Sequence, residues 1–263
     1  VPGVTTTYTS YKLLAADMPR SIERVAAEPM VARETQYFRD TIETVKSVDD
    51  FMSDNRLYNY VLKAHGLEDM AYAKAFIRKV LTEGVSNEES FANKLTDSRY
   101  RDLARAFDFE ALGAAATGTE AARLGTVSKY MRQTLEQNAG EENAGVRLAL
   151  YFERMAPGLD NMYEILADDA LAEVVRTTLG LPPEVAASDI DKQVQLFEKQ
   201  FSLDDFKDTE KLSRFLDRFT TMWEVANPSA GSFDASSLIG QQTSFGISPD
   251  LMLSLNTLKL GGR

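Results

Sequence analysis

The sequence predicts an all-α protein: a duplicated helical module packed as one pseudo-symmetric helical body, with a short C-terminal helix on a flexible tail. Three observations predict it. Apolar residues recur every three or four positions through most of the chain, and strand-like alternation is nowhere sustained. Helix-start and helix-stop residues bracket these stripes. The stretch DDFMSDNRLYNYVLKAHGL, 49–67, returns in altered form 114 positions later, within YEILADDALAEVVRTTLGL, 163–181.

Taken in order, 54–64 carries Leu57, Tyr60, Val61 and Ala64 on one face, and Gly66 stands where a helix C-cap favours a left-handed residue. Residues 68–83 place Ala73, Phe76, Ile77, Val80 and Leu81 on a second stripe that Gly84 ends. Ser86 and Glu89 have the spacing of a capping box before Phe91 and Leu95. Asp97 is set to cap a helix carrying Tyr100, Leu103 and Phe107, and the small residues of 110–120 read as a connection. Residues 119–138 give Leu124, Val127, Met131 and Leu135, with Gly140 as the stop, and 142–155 give Val146, Ala149, Leu150 and Phe152. Trp223 is expected to cap the core near the end of the second copy. Residues 228–247 are rich in Ser and Gly and read as a linker. Ser248, Pro249 and Asp250 then open a short apolar helix, by serine cap, first-turn proline and first-turn acid.

The repeat holds without a gap over 33–81. Identical pairs are Arg33/Arg147, Tyr37/Tyr151, Phe38/Phe152, Asp54/Asp168, Leu57/Leu171, Val61/Val175, Gly66/Gly180, Leu67/Leu181, Ala73/Ala187 and Val80/Val194. Between them the replacements keep apolar character, as with Phe76/Ile190. The expected organisation is therefore a single helical domain, 1–227, built from two units at about 33–109 and 147–222. A tail, 228–263, ends in the apolar helix. Each unit is small for an independent core, so the two are expected to bury their stripes on each other over one shared interior.

A net charge of -11 disfavours nucleic acid and anionic membrane surfaces, since both need a cationic footprint. The chain has no cysteine, which removes disulfides, thiolate nucleophiles and zinc-thiolate sites. No apolar run is long enough to span a bilayer, and the first residues do not read as a secretory signal. The expected location is cytoplasmic, with export by a route that ignores such signals left open.

The chemistry-bearing residues point to no catalytic set. His65 is the sole histidine and precedes a helix-ending glycine, where a cationic ring at a helix end or on the surface would complement the dipole. Its counterpart in the second unit is Leu179. The acid pairs Asp49-Asp50, Asp168-Asp169 and Asp204-Asp205 fall at expected helix starts, where the dipole favours them. No phosphate-binding or calcium-loop pattern occurs. The expectation is no catalytic, cofactor-binding or metal-binding residue. The candidate partner-binding face is Leu251, Met252, Leu255 and Leu258 on the last helix, which is too short to be stable alone. A competing reading places a ligand pocket between the units, lined by Tyr37, Phe38, Tyr151 and Phe152.

The segments TYTSYKLLAAD, PMVARETQYFRDTI, DDFMSDNRLYNYVLKAHGLEDMAYAKAFIRKVL, FANKLTDSRYRDLARAFDF, KYMRQTLEQNAGEENAGVRLALYFERMAP and VVRTTLGLP resemble the bacterial family called domain of unknown function 1217. The resemblance covers nearly the whole chain. It implies one or two copies of the domain and an association with flagella, because genes of the family often lie among flagellar genes. It brings no catalytic residue. Some relatives carry a rod-protein label, but the Asn/Gly-containing N-terminal signature of rod and hook proteins is absent here. The implied function is non-enzymatic: protein-protein contacts with flagellar components in assembly or structure. The alternative is an exported axial subunit of rod or hook.

Overall fold

The computed structural model describes residues 5–228. The Leu251, Met252, Leu255 and Leu258 face lies outside these residues. Among the described residues there are helices and turns and no strand.

The chain opens with α1 (Thr7–Ala16) and α2 (Met18–Ala26). The first unit comprises α3 (Pro29–Ile42), α4 (Val48–Ser53), α5 (Asn55–Ala64), α6 (Lys74–Glu83), α7 (Phe91–Lys94), α8 (Ser98–Ala106) and α9 (Phe109–Leu112). A 3-10 stretch and a π-turn lead to α10 (Thr126–Glu142). The second unit follows as α11 (Ala144–Met155), α12 (Met162–Ala167), α13 (Asp169–Leu179), α14 (Ile190–Glu198) and α15 (Thr209–Ala226).

Local chemistry sets these ends. Asp54 caps α5 by accepting from the amides of Arg56 and Leu57, and Asp168 caps α13 by accepting from Ala170 and Leu171. Ser47 and Asn161 cap α4 and α12 in the same way. Gly66 (φ 69°) and Gly180 (φ 64°) end α5 and α13 in the left-handed region where glycine is unstrained.

Four sequence expectations are corrected. Ser86 and Glu89 open no helix: the Ser86 hydroxyl donates to Glu110, and the Phe91 amide donates to Glu83 instead. The 68–83 stripe is split into a 3-10 turn (Glu68–Met70) and α6. Gly140 lies inside α10, where a Cβ would meet Cδ of Arg147 at 2.7 Å. A glycine needed for close approach reads in sequence like a stop signal. Leu124, on the π-turn, is 62% exposed and takes no part in the core.

The interior also differs from the single shared core expected. One apolar cluster gathers Phe38, Phe51, Tyr58, Tyr60, Phe107 and the α10 residues Tyr130 and Met131. A second gathers Phe152, Phe197, Phe206, Leu216 and Phe219. Leu14 and Met18, from α1 and α2, touch both. Helix α10 turns its aromatic side to the first cluster, where Tyr130 stacks on Tyr60 at 3.8 Å. It turns Arg132, Gln133 and Glu136 toward α11. The contact between the two cores is therefore made partly of ions, and this divides the apolar interior.

Candidate functional site

The seam between the cores is the polar centre of the molecule. Glu136 is 1% exposed. Its carboxylate accepts from Nε of Arg132 (3.0 Å) and from Nε and Nη2 of Arg154 (2.8 Å each). Arg132 also donates to the carbonyl of Leu150 and to Glu153, tying α10 to α11 a second time. Arg101 of α8 reaches Glu164 of α12 at 2.9 Å, and Glu164 is 6% exposed. The Arg132 and Arg154 pairs tie α10 to the second unit, and Arg101–Glu164 ties the first unit to the second, all through charge-assisted hydrogen bonds, the strong kind.

At one end the seam opens into a cleft of about 760 Å³. Arg99, Glu68 and Asp69 wall it from the first unit, Gln133 and Glu136 from α10, and Tyr151, Asp168 and Glu173 from the second. Leu148, Ala170 and Trp223 add apolar surface. Trp223 is seated by Gly145, where any Cβ would come within 2.3 Å of the indole. Arg99 is held to its own wall by Asp97 and by the carbonyl of Gly66. The Tyr151 hydroxyl donates to Asp168 at 2.5 Å, and burial together with that carboxylate pushes its pKa up. The phenol is therefore neutral at physiological pH.

Of the residues expected to line a pocket between the units, only Tyr151 does so. Phe38 and Phe152 are fully buried, one in each core. Tyr37 bonds to Asp54 at 2.8 Å on the surface of the first unit. Apolar periodicity marked all four as inward-facing. It could not show that the cleft would be polar, because its walls come from segments far apart in sequence.

His65 corrects another expectation. It does follow the last turn of α5, but it is only 6% exposed and lies against the ring of Phe107. Burial, with Lys129 and Arg154 nearby, holds its pKa well below the usual histidine value. The ring is neutral, and its Nε2 is buried without a hydrogen-bond partner. As pH falls through about 6.5 the unfolded chain takes up this proton first. The contribution of His65 to stability is thus complete above that pH and is lost as pH drops toward the folded pKa. His65→Leu, the residue found at Leu179, should flatten this slope, of roughly 1 kcal/mol per pH unit. Urea unfolding of both proteins between pH 5 and 8 measures it, and parallel pH profiles would refute the assignment.

Fold and seam together define an all-helical protein whose two apolar cores are bolted together by buried ion pairs beside an open cleft. The chain belongs to the family described as protein of unknown function (DUF1217), whose model matches residues 64–212. It is also similar to protein AGR_C_984 from Agrobacterium tumefaciens, known from an X-ray crystal structure, with 61% sequence identity and a TM-score of 0.79. That likeness covers 84% of this chain and 94% of the other. No curated protein matches.

Among the described residues no helix is long and apolar enough to cross a membrane.

Proposed function

We propose that this is a non-enzymatic, flagellum-associated protein that acts through protein-protein contacts in flagellar assembly or structure. The observation that carries the non-enzymatic part is how the ionisable groups of the interior and the cleft are used. Glu136 is saturated by two guanidinium groups, Asp168 caps a helix while accepting from Tyr151, and His65 is sealed against Phe107. Groups spent in this way hold elements together and are not poised to move protons. The flagellar part rests on the family resemblance. Sheared flagella and cytosol probed for the protein test it: a cytosolic protein whose deletion impairs swimming fits an assembly role. Protein in the sheared filament fraction favours an exported subunit, and a deletion strain that swims normally would refute both.

We propose further that the body arose by duplication of a unit near 33–109 and 147–222. Supporting it are the paired caps at Asp54 and Asp168, the paired left-handed glycines, and the matched hydrogen bonds from Tyr37 to Asp54 and from Tyr151 to Asp168. In the first unit a Glu34–Arg56 bridge flanks that hydrogen bond. Leu148 and Ala170 hold the corresponding positions of the second. A crystal structure of the Leu148→Glu/Ala170→Arg variant should show the new pair beside Tyr151 as Arg56 lies beside Tyr37. A pair that points elsewhere would count against duplication.

A further inference from the structure

Comparing the two Tyr–Asp pairs shows what the cleft is shaped to receive. In the first unit the guanidinium of Arg56 lies 3.9 Å from the centre of the Tyr37 ring. It makes a two-pronged bridge to Glu34, at 2.8 and 2.9 Å, beside the carboxylate of Asp54. This is a complete guanidinium site: an aromatic face, a bidentate acid and a neighbouring carboxylate.

The second unit keeps the tyrosine and the aspartate and loses the cation with its partner acid. Leu148 and Ala170 stand in their places, and both line the cleft. The second unit thus supplies no cation from the position that Arg56 holds in the first, and the cations near Tyr151 come from other positions. Arg154 lies 5.1 Å from the Tyr151 ring but is drawn to Glu136 on α10. Arg99 is tied to Asp97, and Arg147, which also lines the cleft, lies along Gly140 of α10. Of the carboxylates around the opening, Asp69 and Glu173 are exposed and make no salt bridge among the described residues. Leu148 offers an apolar surface suited to the methylene stem of a long cationic side chain.

We infer that this cleft binds the guanidinium of an arginine carried by a partner polypeptide, stacked on Tyr151 and drawn in by Glu173 and Asp69. The inference rests on the correspondence of the two units proposed above. Arginine is favoured over lysine because a planar guanidinium can stack on the ring and meet a carboxylate with two donors at once. Free arginine adds an α-ammonium and an α-carboxylate, whose desolvation in a partly apolar cleft is costly; an arginine within a peptide adds neither charge.

Trp223 is the sole tryptophan of the chain and lines the cleft, so its fluorescence reports on occupancy directly. The full chain would be titrated with N-acetyl-arginine methylamide, the matching lysine compound and free arginine. The expected result is a saturable change with the blocked arginine, with the lysine compound roughly fivefold weaker and free arginine weaker than the blocked form. Glu173→Gln should weaken the blocked arginine, and Leu148→Glu/Ala170→Arg should abolish its binding by filling the site from within. Circular dichroism confirms that the variants are folded; if the double variant is not, Ala170→Arg alone serves. A linear response, equal in parent and filled variant, overturns the proposal. So does equal affinity for lysine, and tighter binding of free arginine overturns the partner part. The crystal structure of the filled variant reports on the unit correspondence separately: a pair beside Tyr151 in that variant, together with no binding by the parent chain, refutes the site alone.

Discussion

Glu136→Ala should destabilise the protein by about 3–5 kcal/mol, the cost of breaking a buried ion pair from one side. The carboxylate is almost wholly buried and accepts from two arginines at 2.8–3.0 Å. Removing it leaves Arg132 and Arg154 facing each other across the α10–α11 contact with their shared counter-charge gone. Arg132 retains Glu153 and the Leu150 carbonyl, and Arg154 retains Gln133. Those remaining partners do not restore the lost charge balance. Urea unfolding followed by circular dichroism measures the effect. The combined Glu136→Ala/Arg132→Met/Arg154→Met variant should recover much of the loss, because a well-packed apolar replacement of a buried ion cluster is often neutral. A Glu136→Ala protein as stable as the parent would show that the seam contributes little.

Phe152→Ala should cost a similar amount, about 3–5 kcal/mol, by loss of buried apolar surface and by the cavity left behind. The ring is fully buried, stacks on Phe215 at 5.3 Å and meets Phe206 edge-on at 5.1 Å. It belongs to an aromatic group in which Phe206 and Phe215 also meet each other and Phe201. The matching substitution Phe38→Ala removes the ring that stacks on Tyr60 at 4.6 Å in the other core. With the seam intact, the two variants should each unfold in one transition by fluorescence and by circular dichroism. Separate transitions would show that the cores are energetically independent domains and that the ion pairs do not couple them. A loss under 1 kcal/mol for Phe152→Ala would mean that the second core repacks freely.

Much of the helical plan was legible because helix signals are local. The stripes Leu57–Tyr60–Val61–Ala64 and Val146–Ala149–Leu150 are buried where periodicity placed them, and Asp54, Asp97, Gly66 and Gly84 cap or end their helices. Local signals also misled. Ser86 and Glu89 have the spacing of a capping box, yet the Ser86 hydroxyl donates to Glu110, distant in sequence but near in space, and the Phe91 amide donates to Glu83. Gly140 resembled a helix stop because a sequence does not show the Arg147 side chain that lies across it.

The cleft was only partly legible. Tyr151 drew notice as one of a repeated aromatic pair, but Arg99, Glu136 and Glu173 carried no signal. Each is an ordinary charged residue on a helix. Their convergence depends on how α8, α10, α11 and α13 are placed against one another, which no residue-by-residue pattern encodes.

What the sequence determined by itself was the all-α class, most helix ends, the burial of paired residues such as Phe38 and Phe152, and the family. All of these depend on backbone hydrogen bonding and on side-chain periodicity within a few turns. Only the tertiary structure decided that the interior is two cores and not one, that His65 is buried and neutral, and that an acid-rimmed cleft opens beside Tyr151. Those features arise from charges meeting across long sequence separations. There the balance of desolvation against pairing is set by where whole helices pack.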